Sequence, residues 1–510
     1  MRPTHKSVAF TMVVSGWALL VPLQSSCGPF GTGAAESGGV SEDSGWVSND
    51  SGSETTADTG LCMSSCPGDY FIEDEHDFLA FDDCRMIEGR LTVYGDDLLG
   101  IPALPCLTSV GESVIVYGTS DVADVRGLSS LTHIEYALAI EYNDALLSLE
   151  GLEGIEELGD DLVVRNNPVL GSLDALAGVW SVRGHLVVDG NSQIRDIDAL
   201  NGLVEVGRNI SVCDNALLAG MRGLSSIDES YGSIIVGGNA SLESLHGLES
   251  IPELPQALYI DSNDSLRDLS GLDGLTSIGE EVDIIGGASL VSLDGLDGVW
   301  RIGERFRIRQ IPNLVDLSGL GALEVVGRGM EIRGCNSLPN LDGLQSLDTI
   351  GGYLELTLND SLTDLDGLIA LTSLESDLLI RNNPALVSLR GLGNITGTLD
   401  GSLKVDVCES LASLSGLEGI AGVTEDLSVQ DNASLVHLNG LSGVESVAGD
   451  MEINNNAVLN SISGLEALTH VAGDVTVRLN PGLCDDDVNA IFADVTIGGT
   501  LTVSNSGPCE

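Results

Sequence analysis

Leu162-Val163-Val164-Arg165-Asn166-Asn167-Pro168-Val169-Leu170-Gly171-Ser172-Leu173-Asp174-Ala175-Leu176 is one copy of a unit that recurs along most of this chain. Its first part alternates, with Leu162 and Val164 to one side and Val163 and Arg165 to the other, as in a strand buried on one face. Leu170, Leu173 and Leu176 then recur every three residues, as in a coil whose successive edges face a common interior. The small residue plus Leu that closes the copy appears at 103, 127, 151, 175, 199, 223, 247, 271, 295, 319, 343, 367 and 391, each interval being 24. One extra residue shifts the frame, and the pairs resume at Gly416, Gly440 and Gly464. A single turn buries too little apolar surface to offset the ordering of its backbone, so the turns fold only by stacking. The expected fold is all-β, a right-handed parallel β-helix of about 16 turns and roughly 75–80 Å long, with a short N-terminal capping helix.

A polar column accompanies the repeat, eight residues before each small-Leu pair. It holds Asn143, Asn167, Asn191, Asn215, Asn239, Asn263, Asn359, Asn383, Asn432 and Asn456, and Asn480 continues it one period further. Cys335 and Cys408 occupy the same position, while Gly95, Thr119, Gly287 and Ile311 are exceptions. An amide at a tight bend satisfies backbone groups of its own turn and the next, which buried backbone requires. Cys substitutes as a small, weak donor, as Asn and Cys do in leucine-rich repeats, so Cys335 and Cys408 are read as ladder residues. The triplets starting at Asn239, Asn263, Asn359 and Asn432 look like glycosylation signals but start on the ladder, and are discounted for that reason.

The 510 residues carry 77 Asp plus Glu against 21 Lys plus Arg, a formal net charge of −56, with Lys6 and Lys404 the only lysines. That balance argues against nucleic acid or an anionic membrane surface as a partner, since both require a positive face. Hydrophobic residues make up 43%, enough to bury a core. At the N-terminus, Arg2 and Lys6 precede the apolar run Val8 to Val21, and Leu23-Gln24-Ser25-Ser26-Cys27 follows. This is the layout of an export signal, with an apolar run too short to span a bilayer. Small residues before a Cys resemble the lipobox of bacterial lipoproteins, which implies lipidation at Cys27 and onward sorting to an outer membrane or cell surface. Gln24 departs from the aliphatic residue usual there, and the alternative is ordinary cleavage and secretion. Residues 28–61, rich in Gly, Ser, Thr and acids, read as a flexible tether.

The ends of the repeat region carry a family resemblance. Cys66-Pro67-Gly68, then Cys84-Arg85-Met86-Ile87-Glu88-Gly89, resemble the opening of the receptor L domain, the leucine-rich, ligand-binding β-solenoid of insulin and epidermal growth factor receptors. In that family such motifs flank a capping helix, for which Phe71 to Phe81 is available, with Phe71, Phe78, Leu79 and Phe81 on one face. Asn480-Pro481-Gly482-Leu483-Cys484 is similar to the family's closing motif. The resemblance covers residues 62–510 and implies the fold and an extracellular binding role. It departs from the family in having far more turns and no cysteine-rich module, transmembrane helix or kinase. The expected organisation is a signal at 1–27, tether at 28–61, disulfide-bonded cap at 62–102, solenoid at 103–480 and C-terminal cap at 481–510. The family pattern implies Cys66 paired with Cys84, and elimination then suggests Cys62 with Cys106 and Cys484 with Cys509. A zinc site from Cys62-x-x-x-Cys66 is the alternative there, and Cys213 is left unplaced.

No catalytic spacing appears: the seven His are dispersed, and neither a Gly-x-Ser-x-Gly elbow nor a phosphate-binding Gly loop ending in Lys-Ser/Thr occurs. No enzyme activity, cofactor or metal is expected, Asp485-Asp486-Asp487 being read as solvated acids rather than a Ca²⁺ loop. A ligand would use the outward strand positions, twelve and ten residues before each pair. The first such row reads Ala139, Val163, Val187, Ser211, Ile235 and Tyr259, an apolar stripe if exposed, or β-branched residues that merely suit a strand or are covered by a loop. Farther along, Arg301, Arg305, Arg307, Arg309, Arg328 and Arg333 gather. They form either an anion-capturing island or, since Asp283, Arg307, Glu331 and Glu355 share one row, an internally neutralised ladder. The expected function is a lipid-anchored surface protein binding a protein or glycan on this face, with Val163, Val187, Ile235, Tyr259, Arg307, Arg309 and Arg333 as candidate contacts. The alternative is a structural or spacer protein of the envelope with no dedicated ligand.

Overall fold

The computed structural model describes Cys62, residues 64–81 and residues 83–507. The expected signal with Cys27, the tether and Cys509 lie outside the described residues.

Alternation and period together produce one long sheet. Nineteen parallel strands, from Tyr70–Ile72 to Leu501–Ser504, are bonded in sequence, giving about 18 turns and a rod of about 86 Å. Register is strict: Leu162 pairs with Leu186, which pairs with Ile210, so every inward residue stacks on its counterpart. A second side is built from two-residue strands such as Glu157–Leu158 and Ser181–Val182, which join into sheets of seven, six and five strands. The every-third leucines line the remaining side, where several turns tighten into a 3₁₀ turn such as Asp174–Leu176. Leu162, Val164, Leu170, Leu173 and Leu176 are all buried, and the same positions of successive turns fuse into one core running the length of the rod.

Two positions show why the repeat is so strict. A Cβ on Gly223 would sit 1.7 Å from the Ile197 carbonyl oxygen, so the residue before each Leu is small because the turn below lies against it. The residue just before each ladder position turns the chain with a left-handed backbone, and non-glycine residues occupy that place in many turns, among them Asn166 (φ 53°), Asn382 (φ 54°) and Val407 (φ 56°). Asn tolerates this region, whereas a β-branched side chain is strained there. Val407→Asn is therefore expected to stabilise the protein by about 1 kcal/mol. A higher urea midpoint checks this, and an unchanged one would contradict it.

The extra residue that shifts the frame is absorbed away from the long sheet. Leu378 pairs with Leu403 across an interval of 25, while on the second side the register breaks between Gly397 and Thr398. The long sheet passes this point without a bulge.

Both ends differ from expectation. Tyr70–Ile72 is the first strand of the sheet rather than part of a capping helix, and among the described residues the helical piece there is the 3₁₀ turn Asp77–Ala80. Phe78 and Phe81 are buried, but Phe71 and Leu79 are exposed, so the proposed helix face does not exist. The reason is local: Asp77 Oδ2 accepts from the amides of Glu73 and Asp74, and Asp74 Oδ1 from that of His76, closing tight turns in place of a helix. The solenoid also runs past 103–480 in both directions. Beyond Asn480 comes the α-helix Asp485–Phe492, which buries Val488 and Phe492, and then one more strand, Leu501–Ser504. The three aspartates form the first turn of that helix, where carboxylates face the positive end of the helix dipole.

Candidate binding face

The site begins with what holds it flat. Asn191 Nδ2 donates to Val164 O (2.8 Å) on the strand one turn behind it, while Asn191 Oδ1 accepts from the Asn167 amide (3.1 Å). The same amide-to-Oδ1 bond joins Asn143 to Asn167, Asn215 to Asn239, Asn359 to Asn383 and Asn456 to Asn480, and the Nδ2 of the second member of each pair donates to a strand carbonyl of the preceding turn. Thr119 begins the series through Asn143 Oδ1, and Cys335 and Cys408 enter it by donating their amides to Asn359 and Asn432. Burial pushes both thiols up to about 12, so they stay protonated and unreactive. Asn505, which sequence reading missed because it lies 25 residues beyond Asn480, completes the series by accepting the Asn480 amide (3.0 Å). Gly287 and Ile311 interrupt it, leaving two amide runs with a gap in the middle of the rod.

Disulfides close the N-terminal end, Cys62 to Cys106 and Cys66 to Cys84, in place of a zinc site. Such bonds fit export to an oxidising compartment. Cys213 and Cys484 are also disulfide-bonded. Cys213 is buried on the outward side of its strand, where its amide donates to Asp189 Oδ1 (3.1 Å).

On the outward rows the apolar stripe is only half accessible. Ala139 and Val163 are buried, while Val187, Ser211, Ile235 and Tyr259 are half-buried, so Val163 is removed as a contact residue. Tyr259 donates its hydroxyl to Glu281 Oε1 (2.7 Å), and burial together with that bond raises its pKa. Beside the stripe, Glu141 is buried with one carboxylate oxygen lacking a hydrogen-bond partner. Burial raises its pKa against the opposing pull of Arg165. A carboxyl whose folded pKa lies above its unfolded value favours folding when protonated. Its contribution is complete below the ordinary glutamate pKa of about 4.3 and is lost as pH rises through the folded value. Glu141→Gln is accordingly expected to gain on the parent protein between about pH 4 and pH 7. Urea midpoints at the two pH values check this, and an equal difference at both would contradict it.

The arginine section is internally neutralised. Asp283, 1% exposed in its side chain, receives Arg307 at 3.0 Å and Arg309 at 2.5 Å, and Arg307 also reaches Glu281 at 2.8 Å. Arg328 pairs with Glu304 (3.3 Å). The shared row supplies one of these pairs, Asp283 with Arg307, while Arg309 joins from the neighbouring row, Glu281 adds a second acceptor for Arg307, and Glu331 and Glu355 pair with neither cation. Burial still raises the pKa of Asp283 against the two guanidinium groups. Arg307 and Arg309 are therefore structural. Arg333 is exposed and makes no ion pair among the described residues, so it stays available.

Past Arg333 the face turns mostly polar, with Leu379 the apolar exception on these strands. The strands Leu378–Arg381, Leu403–Asp406, Leu427–Gln430 and Met451–Asn454 set Arg381, Asp406, Gln430 and Asn454 side by side, and Lys404, Ser428 and Glu452 in the next row. Arg381, Lys404, Asp406, Ser428, Gln430 and Glu452, together with Asp426, Leu427 and Asp450, line a shallow recess of about 260 Å³. Nothing in the sequence announced it, because its members come from four turns and one interval of 25.

The geometry defines a leucine-rich-repeat-like parallel β-solenoid with a continuous outward strand face. The chain matches no family model and no curated protein. Among solved structures it is similar to a chain in the crystal structure of a TLR13–ssRNA13 complex, at 15% identity over 86% of this chain and 82% of that one. The TM-score of that match is 0.19, too low to bear on fold or ligand.

Proposed function

We propose that this chain is an exported surface protein, held by a lipid on Cys27, whose strand face binds a protein or glycan partner. One observation carries the reading. The fold dictates the inward rows, which are apolar at every turn, but demands nothing of the outward rows, and those do not repeat. They pass from the half-buried apolar stripe at Val187 and Ile235, through the ionic section at Asp283 and Arg309, to the polar recess at Lys404 and Glu452. A surface that varies on a rigid, regular frame is how solenoids present specificity. The export layout of residues 1–27 and the two N-terminal disulfides support the location. The neutralised Arg307 and Arg309 favour the second reading, a spacer rod without a ligand.

Single substitutions in the three sections separate the two: Ile235→Asp, Arg333→Glu and Glu452→Lys, each in a soluble form beginning at Cys62. In a pull-down from surface extracts, the binding reading expects at least one substitution to abolish a captured band. Identical profiles for all three would leave the spacer reading.

A further inference from the structure

We propose that the outward row Tyr94, Tyr117, Glu141 and Arg165, with Tyr142 at its side, binds a neutral saccharide, a choice between the two partners named above that rests on the strand-face reading. The four residues stand opposite one another on the consecutive strands Leu91–Tyr94, Val114–Tyr117, Leu138–Glu141 and Leu162–Arg165, and so share one line along the rod. Tyr94, Tyr117, Tyr142 and Arg165 are half-buried, while Glu141 is 5% exposed. The fold gives Glu141 nothing to bond. Its carboxylate makes no hydrogen bond or ion pair among the described residues: Oε1 is enclosed without a partner, and Oε2, equally unpartnered, reaches the surface. An apolar side chain at this position would avoid the desolvation of a carboxyl, so Glu141 is held at a cost to the free rod. Groups held at such a cost gather at binding sites, where a ligand satisfies them.

The neighbours of Glu141 decide what that ligand is. On one side the Tyr117 and Tyr142 rings touch, with centroids 5.4 Å apart and planes inclined by 62°. Rings in contact leave no gap for a cation between them, so they do not form the cage that holds a methylated ammonium, and Arg165 on the other side of Glu141 repels one. An anionic ligand is opposed by the net charge of −56 and by Asp189, which already takes Arg165 Nη2 at 3.3 Å. That single bond leaves most of the five guanidinium N–H donors of Arg165 unengaged. The row therefore combines an aromatic surface, an acceptor and a donor. A sugar ring meets all three, because its C–H face packs on aromatic rings while each of its hydroxyls both donates and accepts. At the end of the row the Tyr94 hydroxyl is held by Glu73 Oε1, which fixes that side chain in place.

Isothermal titration of the full chain with cellohexaose, maltohexaose and chitohexaose, and with oligogalacturonate as an anionic counterpart, tests the site. The expected result is binding of at least one neutral hexaose that weakens about tenfold or more in Tyr117→Ala and in Glu141→Leu. In Tyr231→Ala, which removes an exposed tyrosine next to the second-side strand Glu229–Ser230, it should weaken by less than about twofold. Glu141→Leu should at the same time raise the urea midpoint, a combination that misfolding does not produce. No binding of any neutral hexaose, tighter binding of oligogalacturonate than of all three, or equal weakening in all three variants would overturn the proposal. Loss of a captured protein band with Glu141→Leu, when no oligosaccharide binds, would assign the row to a protein instead and overturn it as well. If the titration fails while the pull-down above still responds to Ile235→Asp, Arg333→Glu or Glu452→Lys, the saccharide site falls and the strand-face reading stands.

Discussion

Asn191→Leu is expected to remove about 4 kcal/mol of stability, far more than the loss of one ordinary hydrogen bond. The side chain is fully buried and serves two turns at once: its Nδ2 satisfies Val164 O and its Oδ1 satisfies the Asn167 amide. Leu has the same number and branching of side-chain heavy atoms and is somewhat bulkier, so the change leaves no cavity, but it strands a buried carbonyl and a buried N–H, each costing roughly 1–3 kcal/mol. Asn191→Cys is the informative control. Cys408 shows that a thiol is tolerated in this column, its Sγ facing Ile380 O at 3.8 Å and Asp406 O at 3.6 Å. Its loss is expected to be about half as large. Equilibrium unfolding in urea gives both numbers. Equal losses for Leu and Cys would mean that packing, not hydrogen bonding, holds the column together.

The second large effect is expected at Asp283, where the amide series lapses. Gly287 and Ile311 supply no side-chain bond to the neighbouring turns, and it is the strands just before them, Val282–Ile285 and Arg305–Arg309, that Asp283, Arg307 and Arg309 tie together from the outside. Asp283→Ala leaves two guanidinium groups without their buried acceptor, and removing one partner of such a cluster costs about 3–5 kcal/mol. Because each turn of a solenoid touches only its neighbours, the damage should be local. Unfolding is expected to split into two transitions, with hydrogen exchange in residues 282–311 accelerated first. Replacing the whole cluster with apolar residues, Asp283→Leu with Arg307→Leu and Arg309→Leu, should recover much of the loss. A single unchanged transition in Asp283→Ala would show that the ionic cluster does not bridge the gap.

Much of this fold is legible in the sequence because the physics repeats. Each turn must bury the same positions, so Leu162, Val164, Leu170 and their successors appear at a fixed interval, and the same constraint places the amide of Asn167 over that of Asn191. Where the interval changes, legibility fails. The turns before 103 step by 23 from Leu91 to Val114, and Asn505 follows Asn480 by 25, so the first and last strands fall outside the small-Leu series. The stretch 71–81 looks like an amphipathic helix, but its aspartates bond to nearby amides and win the competition. Outward chemistry is the least legible. A row of residues fixes which side chains are adjacent, as for Asp283 and Arg307, not which way a long arginine reaches, and Arg309 reaches diagonally past Ile285 to Asp283. The recess at Lys404 and Glu452 needed lateral alignment of four strands across the extra residue near Gly397, which no single repeat contains.

The central claim is that partners meet this rod on its strand face. Site-specific photo-crosslinking tests it most directly, with the crosslinking amino acid placed at Ile235, Arg333 or Glu452 on the face and at Asp121 or Glu324 on exposed positions elsewhere. The strand-face account predicts a discrete crosslinked species from at least one of the first three and none from the other two. Crosslinks arising equally from both sets, or only from Asp121 and Glu324, would contradict it.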